Sequence, residues 1–215
     1  MSTATFPPLD FADPTGHLAR ARADGIVIFG CGNFARDLLG AAQASGFRVH
    51  GFIVSAGAPT EHAGLPVLPL GQEPVAWRTL PLWIGVFNHL PSANYAAIRS
   101  TCESAGFTCP VLPQAYFEAV SAAMGWRYWL TERPNYARHQ KELEAAFAQL
   151  HDETSRRLLA DTLRFRLGGI ATIPGTPVDE THYFPEFLAG TREGPFGLVD
   201  AGAYDGDTLA QALSE

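Results

Sequence analysis

The sequence is poor in the residues that build disulfide frameworks and metal sites. It has three cysteines among 215 residues, Cys31, Cys102 and Cys109, and they form no C-x-x-C pair. Its seven histidines form neither an H-E-x-x-H motif nor a cluster with cysteine. These absences argue against a disulfide-stapled fold and against a zinc site, so we expect reduced cysteines and no metal.

Long apolar runs and basic clusters are also missing. No stretch approaches the roughly 18 apolar residues of a membrane span, and the N-terminus lacks the basic and apolar regions of a signal peptide. Lysine and arginine total 15 against 22 acidic residues, a net charge of −7, and Lys141 is the only lysine. We therefore expect a cytoplasmic protein that binds neither membranes nor nucleic acid. A small molecule or a glycan is the expected partner, and the oligomeric state stays open.

Short apolar runs alternate with helical patterns between residues 25 and 122. The runs fall at 26–29, 49–54, 66–68, 82–87 and 108–112, and the helical patterns at 34–44 and 92–104. The run at 26–29 carries no charge, as expected of a strand buried on both faces of a parallel sheet. The alternation predicts an α/β domain with a Rossmann-like, doubly wound parallel sheet. Residues 1–24 are predicted to be a leader.

A helical connector is predicted at residues 123–175. Apolar residues recur at helical spacing over 135–150, and Asp152 is placed to cap a second helix that ends at Gly168 and Gly169. Residues 176–215 then read as the start of a second domain. The sequence therefore predicts a leader, an α/β domain, a helical connector and part of a further domain.

The segment GCGNFA, residues 30–35, follows the first predicted strand as a G-x-G-x-x-A turn. Its first glycine permits a tight turn, its second clears space for a phosphate, and Ala35 permits close packing of the next helix. The candidate nucleotide-binding residues are Gly30, Gly32, Asn33 and Phe34. Ser55 stands where a dinucleotide site usually has an acidic residue, so we expect no tight binding of NAD. Another nucleotide, a sugar nucleotide and a purely structural turn all stay open.

A second glycine-rich turn lies close to the C-terminus. Residues 198–201 read as a buried strand that feeds the turn at 202–206, and Asp207 or Thr208 can cap the helix that follows. S-adenosylmethionine carries an ammonium and a sulfonium group, so a carboxylate such as that of Asp200 beside an open backbone turn suits this cofactor.

The wording VDAGAYDGDT, residues 199–208, resembles motif I of S-adenosylmethionine-dependent methyltransferases of the FkbM-type branch. The resemblance implies that Asp200 helps to hold the methionine ammonium. It also implies that the backbone of the turn packs beside the methionine portion of the cofactor. The implied cofactor-binding residues are Asp200, Gly202, Ala203, Tyr204 and Gly206.

The phrase IVIFGCGNFARDLL, from residue 26, is similar to the N-terminal Rossmann-like domain of some FkbM-type proteins and to the nucleotide-binding half of sugar acyltransferases. Together the resemblances imply an enzyme that methylates a hydroxyl of a sugar or small metabolite, with no residue identifiable as its catalytic base. Two alternatives stay open: a nucleotide or sugar-nucleotide binding module, and a scaffold without its own ligand. Because the sequence stops within the helix after motif I, we expect a truncated chain that is inactive and does not bind S-adenosylmethionine.

Overall fold

A computed structural model describes residues 4–9, 16–55, 57, 60–87, 94–127 and 130–172. The strands in this part are β1 (Ile26–Phe29), β2 (Val49–Val54), β3 (Glu61–His62), β4 (Leu65–Pro69), β5 (Leu82–Ile84) and β6 (Pro110–Val111). The α-helices are α1 (His17–Asp24), α2 (Asn33–Ala44), α3 (Tyr95–Ser104), α4 (Pro113–Tyr116), α5 (Ser121–Met124), α6 (Pro134–Arg138), α7 (Gln140–Gln149) and α8 (Glu153–Arg166). Short 3-10 helices lie at Val75–Thr79 and Phe117–Ala119. The predicted second domain, residues 176–215, lies outside the described residues.

The six strands form one sheet in the order β3-β4-β2-β1-β5-β6. All neighbouring pairs from β4 to β6 are parallel. Alternate residues of β1 face opposite sides: Ile26 and Ile28 pack in a cluster with α2, whereas Val27 and Phe29 pack in a cluster with α3. Helices thus cover both faces, which makes every residue of β1 buried. The domain is α/β and compatible with a Rossmann-like fold, as the sequence predicts.

The sheet is mixed, which corrects the prediction of a wholly parallel one. Strand β3 pairs antiparallel with β4, with His62 opposite Leu65. Ala63 and Gly64 between them have φ values of 52° and 77°, the left-handed backbone of a two-residue hairpin turn. Glu61 and His62 show no apolar alternation, so no sequence pattern predicted this strand. Because β3 lies at the edge of the sheet, it does not interrupt the parallel pairing.

Several element boundaries differ from the predicted ones. The runs at 82–87 and 108–112 yield the shorter strands β5 and β6. The pattern at 135–150 yields two helices, α6 and α7, which are separated at His139. The cap of α8 is confirmed, because the N–H of Ser155 donates to Asp152 Oδ1 at 2.7 Å. Within the predicted leader, α1 places Ala21 in the core.

Helix α8 connects the helical layer to the sheet. Its Leu163 packs with Tyr136 of α6, while its Phe165 packs with the cluster that contains β1 and α3. A buried ion pair joins the same layer to the 3-10 helix Phe117–Ala119, since Arg133 donates to both carboxylate oxygens of Glu118 at 2.6 and 3.0 Å. Among the described helices, none combines the length and the apolar character needed to cross a membrane.

Candidate functional site

The candidate site lies at the carboxyl edge, the side of the sheet at which β1, β2 and β5 end. Strand β1 has β2 on one side and β5 on the other. The connection that follows β1 leads to β2, and the chain later returns across the sheet to add β5 on the opposite side of β1. In open parallel sheets such a switch point forms a crevice between loops, and ligands bind there. The predicted turn at residues 30–35 leaves β1 at this point.

Gly30 makes the turn out of β1. Its φ is 97°, and a Cβ there would lie 3.1 Å from Val86 Cγ2 and 3.2 Å from Gly85 O. Its N–H donates to Ile53 O at 2.7 Å. The left-handed backbone and the close approach to the neighbouring strand both favour glycine at this position.

Gly32 precedes α2 and leaves the space in front of that helix open. Its backbone is extended, with φ −76°, and no side-chain hydrogen bond caps the helix. A Cβ at Gly32 would meet no atom of the described residues within 4 Å. The first N–H groups of a helix have no partner within the helix. Helix α2 therefore presents its positive amino terminus to this open space, an arrangement that suits an anionic or hydrogen-bond-accepting ligand.

An aromatic pair borders the turn. Phe34, 9% exposed, packs against Phe87 with ring centroids 5.0 Å apart. Asn33 is exposed beside it. The structure thus brings together all four residues of the predicted nucleotide-binding turn, Gly30, Gly32, Asn33 and Phe34, at one edge of the sheet.

Gly85, which sequence reasoning missed, allows α2 to pack closely on the sheet. A Cβ there would lie 2.7 Å from Ile28 Cγ2 and 3.0 Å from Ala35 Cβ. Ala35 is fully buried, which agrees with its predicted packing role. The only signal for Gly85 in the sequence is a glycine inside the apolar run 82–87, where a glycine often marks a close approach of the backbone.

Two buried tyrosines fix the chain where it leaves β5. The hydroxyl of Tyr116 donates to Ile84 O at 2.7 Å, and that of Tyr95 donates to Val86 O at 3.1 Å. Burial raises the pKa of both hydroxyls well above the ordinary tyrosine value. Both therefore stay protonated near neutral pH and act as hydrogen-bond donors, not as bases. No sequence pattern marked either residue.

A buried amide lies behind the same edge, in the short helix that follows β6. Gln114 is 1% exposed, and its amide nitrogen and oxygen have no hydrogen-bond partner in the described part of the chain. Its Cγ faces the turn after α8, 3.9 Å from the position that a Cβ on Gly168 would take. A buried amide without a partner costs free energy, so its presence calls for a reason.

Among the residues that the structure describes, the edge offers backbone donors and aromatic rings but few ionisable groups. Ser55, at the end of β2, is exposed and stands where an acidic residue would contact a ribose. Asp37, one turn into α2, forms an ion pair with Arg127, in which a guanidinium nitrogen lies 2.9 Å from Asp37 Oδ2. No three histidine, cysteine or acidic side chains converge as metal ligands within the described ranges. The geometry can thus hold a ligand through hydrogen bonds, and it assigns no catalytic base.

The cysteines differ in accessibility. Cys31, within the turn, is partly exposed, whereas Cys102 and Cys109 are buried. Burial, with a smaller effect from nearby Glu103, raises the pKa of Cys102 to about 12. A thiol reagent should therefore reach Cys31 first, which makes that residue a reporter of the turn.

The implied cofactor-binding residues of the C-terminal turn are outside the described residues; they are Asp200, Gly202, Ala203, Tyr204 and Gly206. Comparison with protein-family models, curated proteins and solved structures finds no match for this chain.

Proposed function

We propose that the chain is part of an S-adenosylmethionine-dependent methyltransferase that methylates a hydroxyl of a sugar or small metabolite. The observation that carries this proposal is the phrase VDAGAYDGDT at residues 199–208. An apolar strand pattern, a carboxylate, two glycines and a helix cap occur there within ten residues. This combination is more specific than a glycine-rich turn alone.

The chemistry is a displacement at the sulfonium of the cofactor. The acceptor oxygen forms a bond to the methyl carbon while the carbon–sulfur bond breaks, and the sulfur leaves as a neutral thioether. The hydroxyl proton passes to a general base. Holding the two reactants in line supplies most of the rate enhancement in such a transfer. Asp200 would contribute by binding the cofactor ammonium through charge-assisted hydrogen bonds.

Calorimetric titration with S-adenosylmethionine tests this proposal. The protein used is the chain together with any residues that its reading frame adds after Glu215. We expect saturable binding that Asp200→Ala weakens by at least about tenfold, the effect of losing one strong hydrogen bond to a charged group. Asp179→Ala, a carboxylate change outside the motif, is the matched control and should leave the affinity unchanged. Absence of binding by a chain that the reading frame extends past Glu215, or equal effects of both substitutions, would contradict the proposal.

A second candidate function is binding of a nucleotide or sugar nucleotide at the carboxyl edge. It is favoured by the open space at Gly32 in front of the amino terminus of α2. Backbone N–H groups at a helix start suit the oxygens of a diphosphate. The serine at position 55 disfavours NAD, because no carboxylate at the end of β2 is present to bind the ribose.

Protection of Cys31 from alkylation tests this second function. ADP, a uridine diphosphate sugar and NAD are compared on the intact chain. A bound diphosphate should slow alkylation of Cys31, and Gly32→Val should remove the protection by filling the open space. Gly40→Val, on an exposed position of α2, is the control. If none of the three ligands protects Cys31 or gives heat on titration, the scaffold alternative is favoured.

A further inference from the structure

A groove opens at the amino edge, the side of the sheet at which β1, β2 and β5 begin. It lies between the end of α1, the start of β2 and the 3-10 helix Val75–Thr79, and its volume is about 610 Å³. Its lining includes Arg20, Asp24, Arg48, His50 and Trp77. This groove lies where the strands begin, whereas the turn at Gly32 lies at the other end of the strands.

The groove carries excess positive charge in an acidic protein. Among the described residues, Arg20 and Arg48 line it together with one acidic residue, Asp24, whereas the whole chain has a net charge of −7. Neither arginine forms an ion pair with a carboxylate among the described residues. Their charge is therefore available to an anion.

Backbone carbonyls hold the side chains of Arg20, Arg48 and His50 in place. The guanidinium of Arg20 donates to Thr79 O, and that of Arg48 donates to Asp24 O at 2.7 Å. The Nε2 atom of His50 lies 2.8 Å from the same Asp24 oxygen. Each of the two arginine bonds uses one of the five N–H donors of its guanidinium. A carbonyl is neutral, so the arginines are oriented but not neutralised.

Trp77 provides a fixed aromatic surface beside them. Its Cη2 lies against β2, because a Cβ on Gly51 would be only 2.5 Å from that atom. Its ring centroid is 6.4 Å from that of His50. The indole is partly exposed, so one part of it packs on the strand while another part is accessible from the groove.

We propose that the amino-edge groove binds a phosphate monoester that carries a planar ring, the chemistry of a nucleoside monophosphate. The planar guanidinium of arginine matches phosphate oxygens in charge and geometry, and an exposed indole stacks with flat rings. The volume falls within the roughly 300–1,000 Å³ of small-molecule sites. This site is separate from the carboxyl edge and does not depend on either proposed function.

Calorimetric titration of the intact chain with AMP at low ionic strength tests the proposal. We expect saturable binding that weakens as salt is added. Ribose 5-phosphate, which lacks the ring, and adenosine, which lacks the phosphate, should each bind at least about tenfold more weakly. Arg20→Gln and Arg48→Gln should each weaken AMP binding by a similar factor. Arg22→Gln is the matched control, because Arg22 is on the same helix as Arg20 but lies over the ring of Phe47 and does not line the groove.

Two further measurements keep the result decisive. Thermal melting monitors folding, because Arg48 also satisfies the last carbonyl of α1. If Arg48→Gln unfolds the protein, Arg20→Lys, which keeps the charge but not the fork of donors, decides instead and should weaken binding. AMP should leave the alkylation rate of Cys31 unchanged, since that residue lies at the opposite edge. Absence of AMP binding, binding that survives the Arg20 substitutions, or protection of Cys31 by AMP would overturn the proposal.

Discussion

The carboxyl and amino edges of the sheet differ in how closely neighbouring atoms cover the glycine that lies there. At the carboxyl edge, a Cβ on Gly32 would meet no described atom within 4 Å, and within the described part of the chain the helix start behind it is open. At the amino edge, a Cβ on Gly25 would lie 2.7 Å from both Arg48 O and His50 Nε2. Gly32 thus leaves space in front of backbone donors. Gly25 is instead closely covered by Arg48 and His50, two residues that line the amino-edge groove.

This difference shows why glycine by itself is a poor marker of a site. Gly25 is required by its own fold, because its φ is 89° and its neighbours are in contact. Gly32 has an extended backbone with space around it, so the fold alone does not require a glycine there. A glycine that the fold does not require is the better candidate for ligand contact.

The largest expected effect comes from Gly25→Ala at the amino edge. We expect the free energy of unfolding to fall by about 3 kcal/mol, because a left-handed alanine costs roughly 1–2 kcal/mol and the overlap with Arg48 O adds a similar amount. Urea denaturation measures the change. Gly46→Ala is the matched control: its φ is 82° but no atom lies within 4 Å of the added Cβ. Equal losses for the two variants would show that the close cover of Gly25 has no energetic weight.

Glu73→Gln should give the next largest effect, about 2 kcal/mol of stability lost at neutral pH, as for a charged hydrogen bond. The Glu73 side chain is fully buried and accepts bonds from Arg78 Nε at 2.8 Å and from the N–H of Gly71 at 2.6 Å. It thereby braces the 3-10 helix that carries Trp77. Glu61→Gln, an exposed change on β3, is the control and should leave stability unchanged.

The same carboxylate predicts a pH dependence. Burial alone would raise the pKa of Glu73, but the hydrogen bonds from the backbone and from Arg78 outweigh it and hold the pKa below the usual range. A depressed folded-state pKa contributes stability above the unfolded-state value of about 4.3, and this contribution is lost as pH falls through the folded-state pKa. The difference between the parent and Glu73→Gln should therefore shrink below about pH 4.3. A difference that is constant down to pH 2 would contradict this assignment.

Gln114→Leu should have a smaller effect of the opposite sign. Replacing a buried amide that lacks a partner by an apolar side chain of similar size should raise the free energy of unfolding by about 1 kcal/mol. The melting temperature of the purified chain measures it. Gln140→Leu, an exposed position at the start of α7, is the control. A loss of stability would show instead that the amide of Gln114 is satisfied in solution.

Gly32→Ser should change stability least and sharpen the comparison most. Serine is a good residue for the start of a helix, so we expect a gain of a few tenths of a kcal/mol. Its side chain would also occupy the open space, so a diphosphate should no longer protect Cys31. Loss of protection without loss of stability would separate ligand contact from folding at this position. Unchanged protection would argue against ligand binding in front of α2.

The parallel strands were the most predictable part of the fold. Strands β1 and β2 have the predicted bounds, because each is a charge-free or nearly charge-free apolar run next to glycine. The turn at Gly30 was predictable for the same reason, since all its residues are consecutive. Strand β3 was not, because hairpin pairing and not apolar burial holds its two residues.

The parts of the candidate sites that were missed are assembled from distant residues. Tyr116 contacts Ile84 across 32 positions of the chain, and Arg20 contacts Thr79 across 59. A polar residue such as Gln114 has no periodic pattern that marks burial. Sequence patterns report local structure, whereas these contacts depend on which strands become neighbours in the sheet.

The two outermost strands of the sheet bear on self-association. Strands β3 and β6 are each two residues long, and β6 begins with Pro110, which has no N–H to offer. An exposed strand edge is a template on which another chain can add a strand and start aggregation. Short outer strands, one of them containing proline, give an incoming strand little to pair with. We therefore expect the sheet that the described residues form to resist growing edge to edge into larger assemblies.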